Sequence, residues 1–512
     1  MSSPNGSNGS AKAGAGLDRK LMAISSVVVL GAIMSILDTT VVNVAINTLA
    51  RDFNTELSTI QWIVTGYTLA LATVIPITGW AADRFGTKRL YMLSIGLFLA
   101  GSALSGAAWS AESLIVFRVL QGLGGGMLMP AGMTILTRAA GPQRVGRVMA
   151  IIGVPMMLGP ILGPILGGWL VDDFSWRWIF FINIPIGAAA LIASLRILPK
   201  DSPSSSERFD VLGLALLSPG LALMIYGLAQ SASSGGFGAP EVWAPALIGA
   251  ALIVAFVFHG LRTPHALLDL GLFKNRTFAV SSGTLILMII SVFGAMLLLP
   301  LYLQAVRGES AFDSGLLLAP QGIGAMIAMP IAGGLVDRIG VGKIVIPGLA
   351  VLLAATLGLT QLTGDTSYVT LSAVLFVMGI GMGFSMMPLM SGAMQTLRHA
   401  QVARASTTLN IIQQVGASIG TAVMSVILTI ALQDRLGGGA GGDTGLGASG
   451  ADLPPAVRDL MASAFAHTYW WAAALIVPAL AVAFLLPRRK AEPIEDDEAG
   501  AGGEPAPVLV HV

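Results

Sequence analysis

The chain has 512 residues, 54% hydrophobic and only 11% charged, and its mean hydropathy is +0.80. A water-soluble protein of this length needs roughly a quarter of its residues charged, so the composition excludes a soluble enzyme or nucleic-acid binder and points to a helical membrane protein with many spans. Net charge is +1, and the absence of cysteine removes disulfides, thiol catalysis and thiolate metal sites.

Residues 1–17 are dominated by Ser, Gly, Asn and Ala and read as a disordered tail. Fourteen apolar segments follow, near 21–45, 61–80, 89–108, 113–137, 147–171, 177–197, 211–230, 242–261, 278–305, 313–336, 344–362, 367–395, 405–432 and 467–487. The first is too long for a signal-peptide core and has no small-residue cleavage site after it. It contains Leu37-Asp38-Thr-Thr-Val-Val-Asn43-Val-Ala. Asp38 is the one acid of 27 that this division places deep in a span, where a charge costs roughly 2.5–3.5 kcal/mol on insertion scales. A structural Asp bonded to a neighbouring helix is the plain reading; a proton site is the functional one.

Twenty-two of the 28 basic residues fall on one side of the division and five on the other. By the positive-inside rule both chain ends are cytoplasmic and the span count is even. The remaining basic residue, Arg118, lies inside span four, in Arg118-Val-Leu-Gln121-Gly122-Leu-Gly124-Gly-Gly126. At 1.5 Å rise per residue Arg118 is about 9 Å below the outer end of its span and Asp38 about 10 Å below its own, so the two charges share a depth.

The loop after span two carries Gly79-Trp-Ala-Ala-Asp83-Arg84-Phe-Gly86-Thr-Lys88-Arg89. Its spacing recurs as Gly333-Gly-Leu-Val-Asp337-Arg338-Ile-Gly340, and Gly122, Gly124, Gly126 and Pro130 recur as Gly379, Gly381, Gly383 and Pro388. Both copies of the first motif are expected in cytoplasmic loops. The chain therefore reads as two homologous halves of six spans with spans seven and eight inserted. The domains are 1–17 (tail), 18–200, the insert 201–265, 266–487 with an outer loop at 433–466, and an acidic tail 488–512. Span five holds Gly159-Pro160-Ile-Leu-Gly163-Pro164-Ile-Leu-Gly167-Gly168, a smooth face for close helix contact, bent by proline. In the outer loop, Gly437-Gly-Gly-Ala-Gly-Gly442 mimics a dinucleotide-binding pattern with no strand before it and carries no weight, and Ala456–Phe465 reads as a short amphipathic helix.

The second half has no deep acid. Asn410, Gln413 and Gln414, with Asn43 and Gln121 from the first half, are polar candidates for a central cavity; Phe293, Met296, Phe384, Met386 and Met387 are candidates for its soft apolar wall, with ordinary helix packing as their plain reading. His259 and His467 read as interfacial. No Gly-x-x-x-x-Gly-Lys-Ser/Thr loop is present, so any movement of solute across the membrane would have to be secondary. One proton crossing 100 mV supplies about 2.3 kcal/mol, enough for roughly a fifty-fold gradient of a neutral solute.

The Leu-Asp-Thr-Thr opening, the three signatures and the fourteen spans resemble the fourteen-helix drug–proton antiporter branch of the major facilitator superfamily, the EmrB/QacA type, over residues 20–490. The resemblance implies an all-α fold of 6 + 2 + 6 helices in the bacterial cytoplasmic membrane. It implies no enzyme activity and no cofactor, with the proton gradient as driving force, and a monomer as working unit in the bilayer. Asp38 and Arg118 would couple the proton. Gly79, Asp83, Arg84, Gly86, Lys88, Arg89, Asp337 and Arg338 would form a cytoplasmic latch; the family has Arg where Thr87 stands, which removes one contact. Asp83→Asn is then expected to slow the return from the outward- to the inward-facing state. Gly159, Pro160, Gly163, Pro164, Gly167 and Gly168 would mark an antiporter. Substrates would be small amphiphiles, neutral or singly cationic, since dications in that branch need a second membrane acid. Export of a dedicated lipid, siderophore or self-made metabolite fits the same motifs, and a non-transporting membrane sensor is the reading from a different class.

Overall fold

A computed structural model describes residues 19–55, 57–141, 144–200, 209–230, 239–263, 266–398, 401–436 and 454–488. The expected tails, apart from Arg488, and residues 437–453 of the outer loop at 433–466, lie outside these residues. Sixteen α-helices and no strand are present among the described residues. Twelve helices are long and apolar enough to cross a membrane, and a bent pair makes a thirteenth. A further helix, α6 (Val145–Asp173), has 29 residues and matches the fifth expected span.

The first half contains α1 (Arg19–Asp52), α2 (Leu57–Val74), α3 (Ile77–Phe85), α4 (Thr87–Gly106), α5 (Ala111–Ala140), α6, a one-turn α7 (Trp178–Phe181) and α8 (Asn183–Ile197). Span two is not straight: it breaks between Val74 and Ile77 and bends by 55° into α3. Pro76 sits at the break and offers no N–H to continue the ladder. The Gly79–Phe85 part of the first signature is therefore helical, as is Gly333–Ile339 in the second copy; only the turn after each is a loop. Both turns are made by glycine in the left-handed region, Gly86 (φ 93°, ψ 144°) and Gly340 (φ 93°, ψ 154°), a conformation that costs glycine nothing and a side chain much.

The second half contains α11 (Arg276–Ala305), α12 (Ala311–Ile339), α13 (Gly342–Leu359), α14 (Tyr368–Gln395), α15 (Val402–Leu436) and α16 (Pro455–Ala483). The expected short helix at Ala456–Phe465 is not separate; it runs unbroken into the last span as α16. The repeat is visible at the level of backbone contacts. A Cβ on Gly122, Gly124 or Gly126 of α5 would strike the backbone at Tyr67, Phe98 or Leu71, and one on Gly379, Gly381 or Gly383 of α14 would strike it at Gln321, Leu352 or Ala325. These partners keep one constant spacing between the halves, so Tyr67 corresponds to Gln321. Close backbone approach supplies dispersion contact where lipid offers no hydrophobic drive for helix association.

Between the halves, α9 (Val211–Gln230) and α10 (Pro240–Arg262) form a hairpin. Its α9 contacts both α2 and α15. The Ser218 hydroxyl donates to the Thr73 carbonyl at 2.6 Å, and Trp62 stacks on Tyr226 with centroids 5.7 Å apart. On α10, Leu247, Ile248, Val254, Phe258 and Leu261 remain exposed, as suits a helix that faces lipid. The foot of the hairpin is pinned by Asp210, which accepts from the Gly213 and Leu267 amides at 2.8 and 3.0 Å and lies 2.9 Å from His259 Nε2. Burial opposes ionisation there, yet the Gly213, His259 and Leu267 hydrogen bonds outweigh it and hold the carboxyl below its ordinary range.

Candidate functional site

Asp38, on α1, is 1% exposed, and Arg118, on α5, is also 1% exposed. Their side chains meet at 2.6 Å, Arg118 Nη1 donating to Asp38 Oδ2. The similar depth estimated from helix rise is thus a direct contact. The other carboxylate oxygen, Oδ1, accepts from Gln121 Nε2 at 2.8 Å and from Asn183 Nδ2 at 3.1 Å. Asn183 also donates to Ser102 Oγ at 3.1 Å, and Ser102 donates to the Phe180 carbonyl at 2.9 Å. Arg118 is held independently of the acid. It donates to Gln121 Oε1 at 2.8 Å, reaches the Ile63 carbonyl at 3.4 Å, and its guanidinium lies 4.1 Å from the Tyr67 ring centroid. A buried ion pair is stable only when its remaining donors and acceptors are satisfied, which these neighbours do.

Gln121, expected in the cavity wall, therefore belongs to the charge site: one helical turn after Arg118, it bonds both members of the pair. Asn183 and Tyr67 had no motif to announce them. Their only signal was a polar side chain in an apolar span, at the depth of Asp38. The glycines of α6 lie against α1: a Cβ on Gly159, Gly163 or Gly167 would meet Ile36, Thr40 or Val41, and Thr40 Oγ1 donates to the Gly159 carbonyl at 3.2 Å. They hold the Asp38 helix flush on α6. Gly168 meets nothing within 4 Å. The side chains of Pro160, Pro164 and Asn43 lie outside the described residues.

The two copies of the first signature make two crossings at the basic end of the molecule. In one, Asp83 Oδ1 pairs with Arg138 at 2.9 Å and Oδ2 lies 3.9 Å from Arg404 of α15. Gly79 lets α3 approach the Arg404 backbone. In the other, Asp337 Oδ1 accepts from the Gly146 amide of α6 at 3.2 Å and from Gln395 at 3.0 Å, with Arg147 Nε 4.0 Å from Oδ2. Each acid thus joins one half to the other and closes this end. Lys88 bonds the Leu195 and Leu198 carbonyls at 2.8 Å, capping α8 within its own half. Arg84, Arg89 and Arg338 are exposed. The missed partners Arg138, Arg147 and Arg404 were legible only as positive-inside charges.

Of the cavity candidates, Asn410 bridges the halves by donating to Met133 Sδ at 3.3 Å, and Gln413 lies 3.8 Å from Met390 Sδ. Gln414, Phe293, Met296 and Phe384 are half-buried, whereas Met386 and Met387 are buried; Met387 and Met329 press on Gly153 across the seam. Met296 lines a cavity inside the second half with Gln321, Leu375 and Met378 rather than between the halves. His259 pairs with Asp210, and His467 is exposed.

Two related helical halves, joined at one end by reciprocal acid contacts and holding a buried ion pair in one of them, define a membrane transporter rather than an enzyme. The chain belongs to the Major Facilitator Superfamily, whose family model matches residues 28–421. It is 46% identical over 495 residues to a Multidrug resistance protein B homolog of Mycobacterium tuberculosis, covering 93% of this chain and 92% of that protein. It is 32% identical over 406 residues to the Multidrug export protein EmrB of Haemophilus influenzae, covering 79% of each. Among solved structures, the human organic anion transporter MFSD10 superposes with a TM-score of 0.60 at 15% identity, covering 89% of this chain and 99% of that one. The proton:xylose symporter XylE gives 0.56 at 15%, covering 90% and 94%. These two likenesses show the shared fold.

Proposed function

We propose that the chain is a proton-driven exporter of small amphipathic compounds, drugs and dyes among them, in a bacterial cytoplasmic membrane, with both termini cytoplasmic. The Asp38–Arg118 pair is the observation that carries this reading. A carboxylate and a guanidinium withdrawn from water are costly to maintain, and their pairing can be switched by one proton. The relatives named for multidrug resistance and export support the substrate class. The 22-to-5 distribution of basic residues supports the orientation. No cofactor is needed: the proton gradient drives exchange and the monomer suffices.

On this reading the basic end is cytoplasmic and the present conformation is closed towards the cytoplasm. A proton entering from outside neutralises Asp38 and releases its hold on Arg118. The halves then rock about the seam, the crossings at Asp83 and Asp337 part, and substrate arriving from the cytoplasm or inner leaflet favours loss of the proton inside. With one deep acid among the described residues, neutral or singly cationic amphiphiles suit the cavity and rigid dications do not. Inverted vesicles containing the protein, given an inward-acid pH gradient, should accumulate ethidium and lose it when an uncoupler is added. Accumulation that persists without the gradient, or efficient export of a rigid dication, would overturn the reading.

The same geometry reverses the sign expected from the motif alone for Asp83. Its contact to Arg404 crosses the seam and exists in the cytoplasm-closed state, whereas its pairing with Arg138 stays within the first half, so Asp83→Asn weakens the closed state rather than the opposite one. Opening towards the cytoplasm should become faster and the outward-facing population should fall. A partly solvated ion pair of this kind is worth about 0.2–1 kcal/mol, a population shift of up to roughly five-fold. Fluorescence-pair distances across the seam would show it; an unchanged distribution would remove Asp83 from the latch.

A further inference from the structure

The Tyr67 ring supports the ion pair, but its hydroxyl makes no bond to it. The residue is 1% exposed, its ring covers the Arg118 guanidinium, and its hydroxyl has no hydrogen-bond partner. A buried hydroxyl left unpaired lowers stability, and phenylalanine would supply the same ring without that cost. The surroundings of the phenol are polar on one side. The hydroxyl side chains of Ser35 and Thr39 on α1 flank it without reaching bonding geometry, and Thr39 is exposed. On the other side stand Arg118 and, beyond it, Asp38. The repeat adds an internal control. In the second half, Leu375 stands in the place of Arg118, Met378 in that of Gln121 and Gln321 in that of Tyr67, so the copy without the ion pair also lacks the tyrosine.

We propose that the Tyr67 hydroxyl is the positioning group for the water through which protons reach Asp38, an assignment that rests on the proton-coupled reading above. The route runs from the exposed Thr39, past Ser35, to a water bonded to the phenol, and on to the carboxylate. The proton comes from the outer solution and ends on an Asp38 oxygen. The phenol finishes each transfer neutral, and Arg118 keeps its charge, held by the Tyr67 ring face and Gln121 Oε1 while Asp38 is uncharged. The ring therefore keeps the cation in place, and the hydroxyl opens the path.

Tyr67→Phe removes one oxygen atom and separates these roles. In purified protein subjected to an acid pH jump and followed with pyranine, proton uptake by the Phe variant should slow at least about tenfold, a modest share of what one positioned proton-transfer group contributes. Its unfolding temperature should be equal to or above that of the wild type. Tyr67→Leu should slow uptake as much and in addition lower the unfolding temperature, because the cation loses its ring. Wild-type uptake kinetics in the Phe variant would overturn the proposal, as would a destabilised Phe variant, which would make the hydroxyl structural. The pH jump needs no substrate, so an absence of uphill efflux in vesicles would remove the export reading while this comparison still decides Tyr67.

Discussion

Asp38→Asn is expected to abolish uphill export while leaving a folded protein that still binds substrate. The substitution fixes the site neutral at every pH. Arg118 loses its counter-ion, but it retains Gln121 Oε1 at 2.8 Å, the Ile63 carbonyl and the Tyr67 ring. The stability loss should thus fall towards the low side of the 3–5 kcal/mol that breaking a buried pair typically costs. Transport suffers far more, because no proton is exchanged and only downhill leak remains. Purified wild-type protein in unbuffered solution should acidify the medium when substrate is added, and the Asn variant should not. Asp38→Glu keeps a titrating group one methylene farther out and should retain part of the activity. An Asn variant that still pumps against a gradient would make Asp38 structural and put coupling elsewhere.

Arg118→Leu should be the more damaging change to the fold. It leaves a buried carboxylate with only the two amide donors of Gln121 and Asn183, and the expected loss is the full range of about 3–5 kcal/mol. The double substitution Asp38→Asn with Arg118→Leu removes both charges and should recover most of that stability without recovering transport. A double-mutant cycle on thermal unfolding in detergent measures the coupling directly. If single and double variants unfold alike, the pair contributes nothing to the folded state.

The depth of the charged pair could be read from helix rise alone, since an ion in hydrocarbon is rare and its distance from a span end is simple arithmetic. The twofold use of one spacing was legible for the same reason: Gly86 and Gly340 answer to a backbone conformation that few other residues tolerate. What the sequence concealed were partners of ordinary type. Asn183 and Tyr67 fall in apolar spans without a repeat or neighbour to mark them, and only the packing of α1, α2, α5 and α8 brings them to Asp38. Gln121 was legible as polar and inward but not as bonded to the pair. Arg138 and Arg404 looked like charges that orient a membrane protein, and the fold also uses them as counter-ions for Asp83. The break at Pro76 was missed because hydropathy averages over a bend.

The hairpin of α9 and α10 has a mechanical consequence. It grips α2 through the Ser218–Thr73 hydrogen bond and the stacked Trp62–Tyr226 rings, whereas Ile411 and Val415 of α15 meet α9 through an apolar cluster. Directional bonds resist sliding; dispersion contacts re-form after it. When α2 and α15 move apart, shear is therefore concentrated on the α15 face, and the hairpin travels with the first half as a keel. An apolar slip plane of this kind would let the two halves rock past each other there without breaking a backbone hydrogen bond.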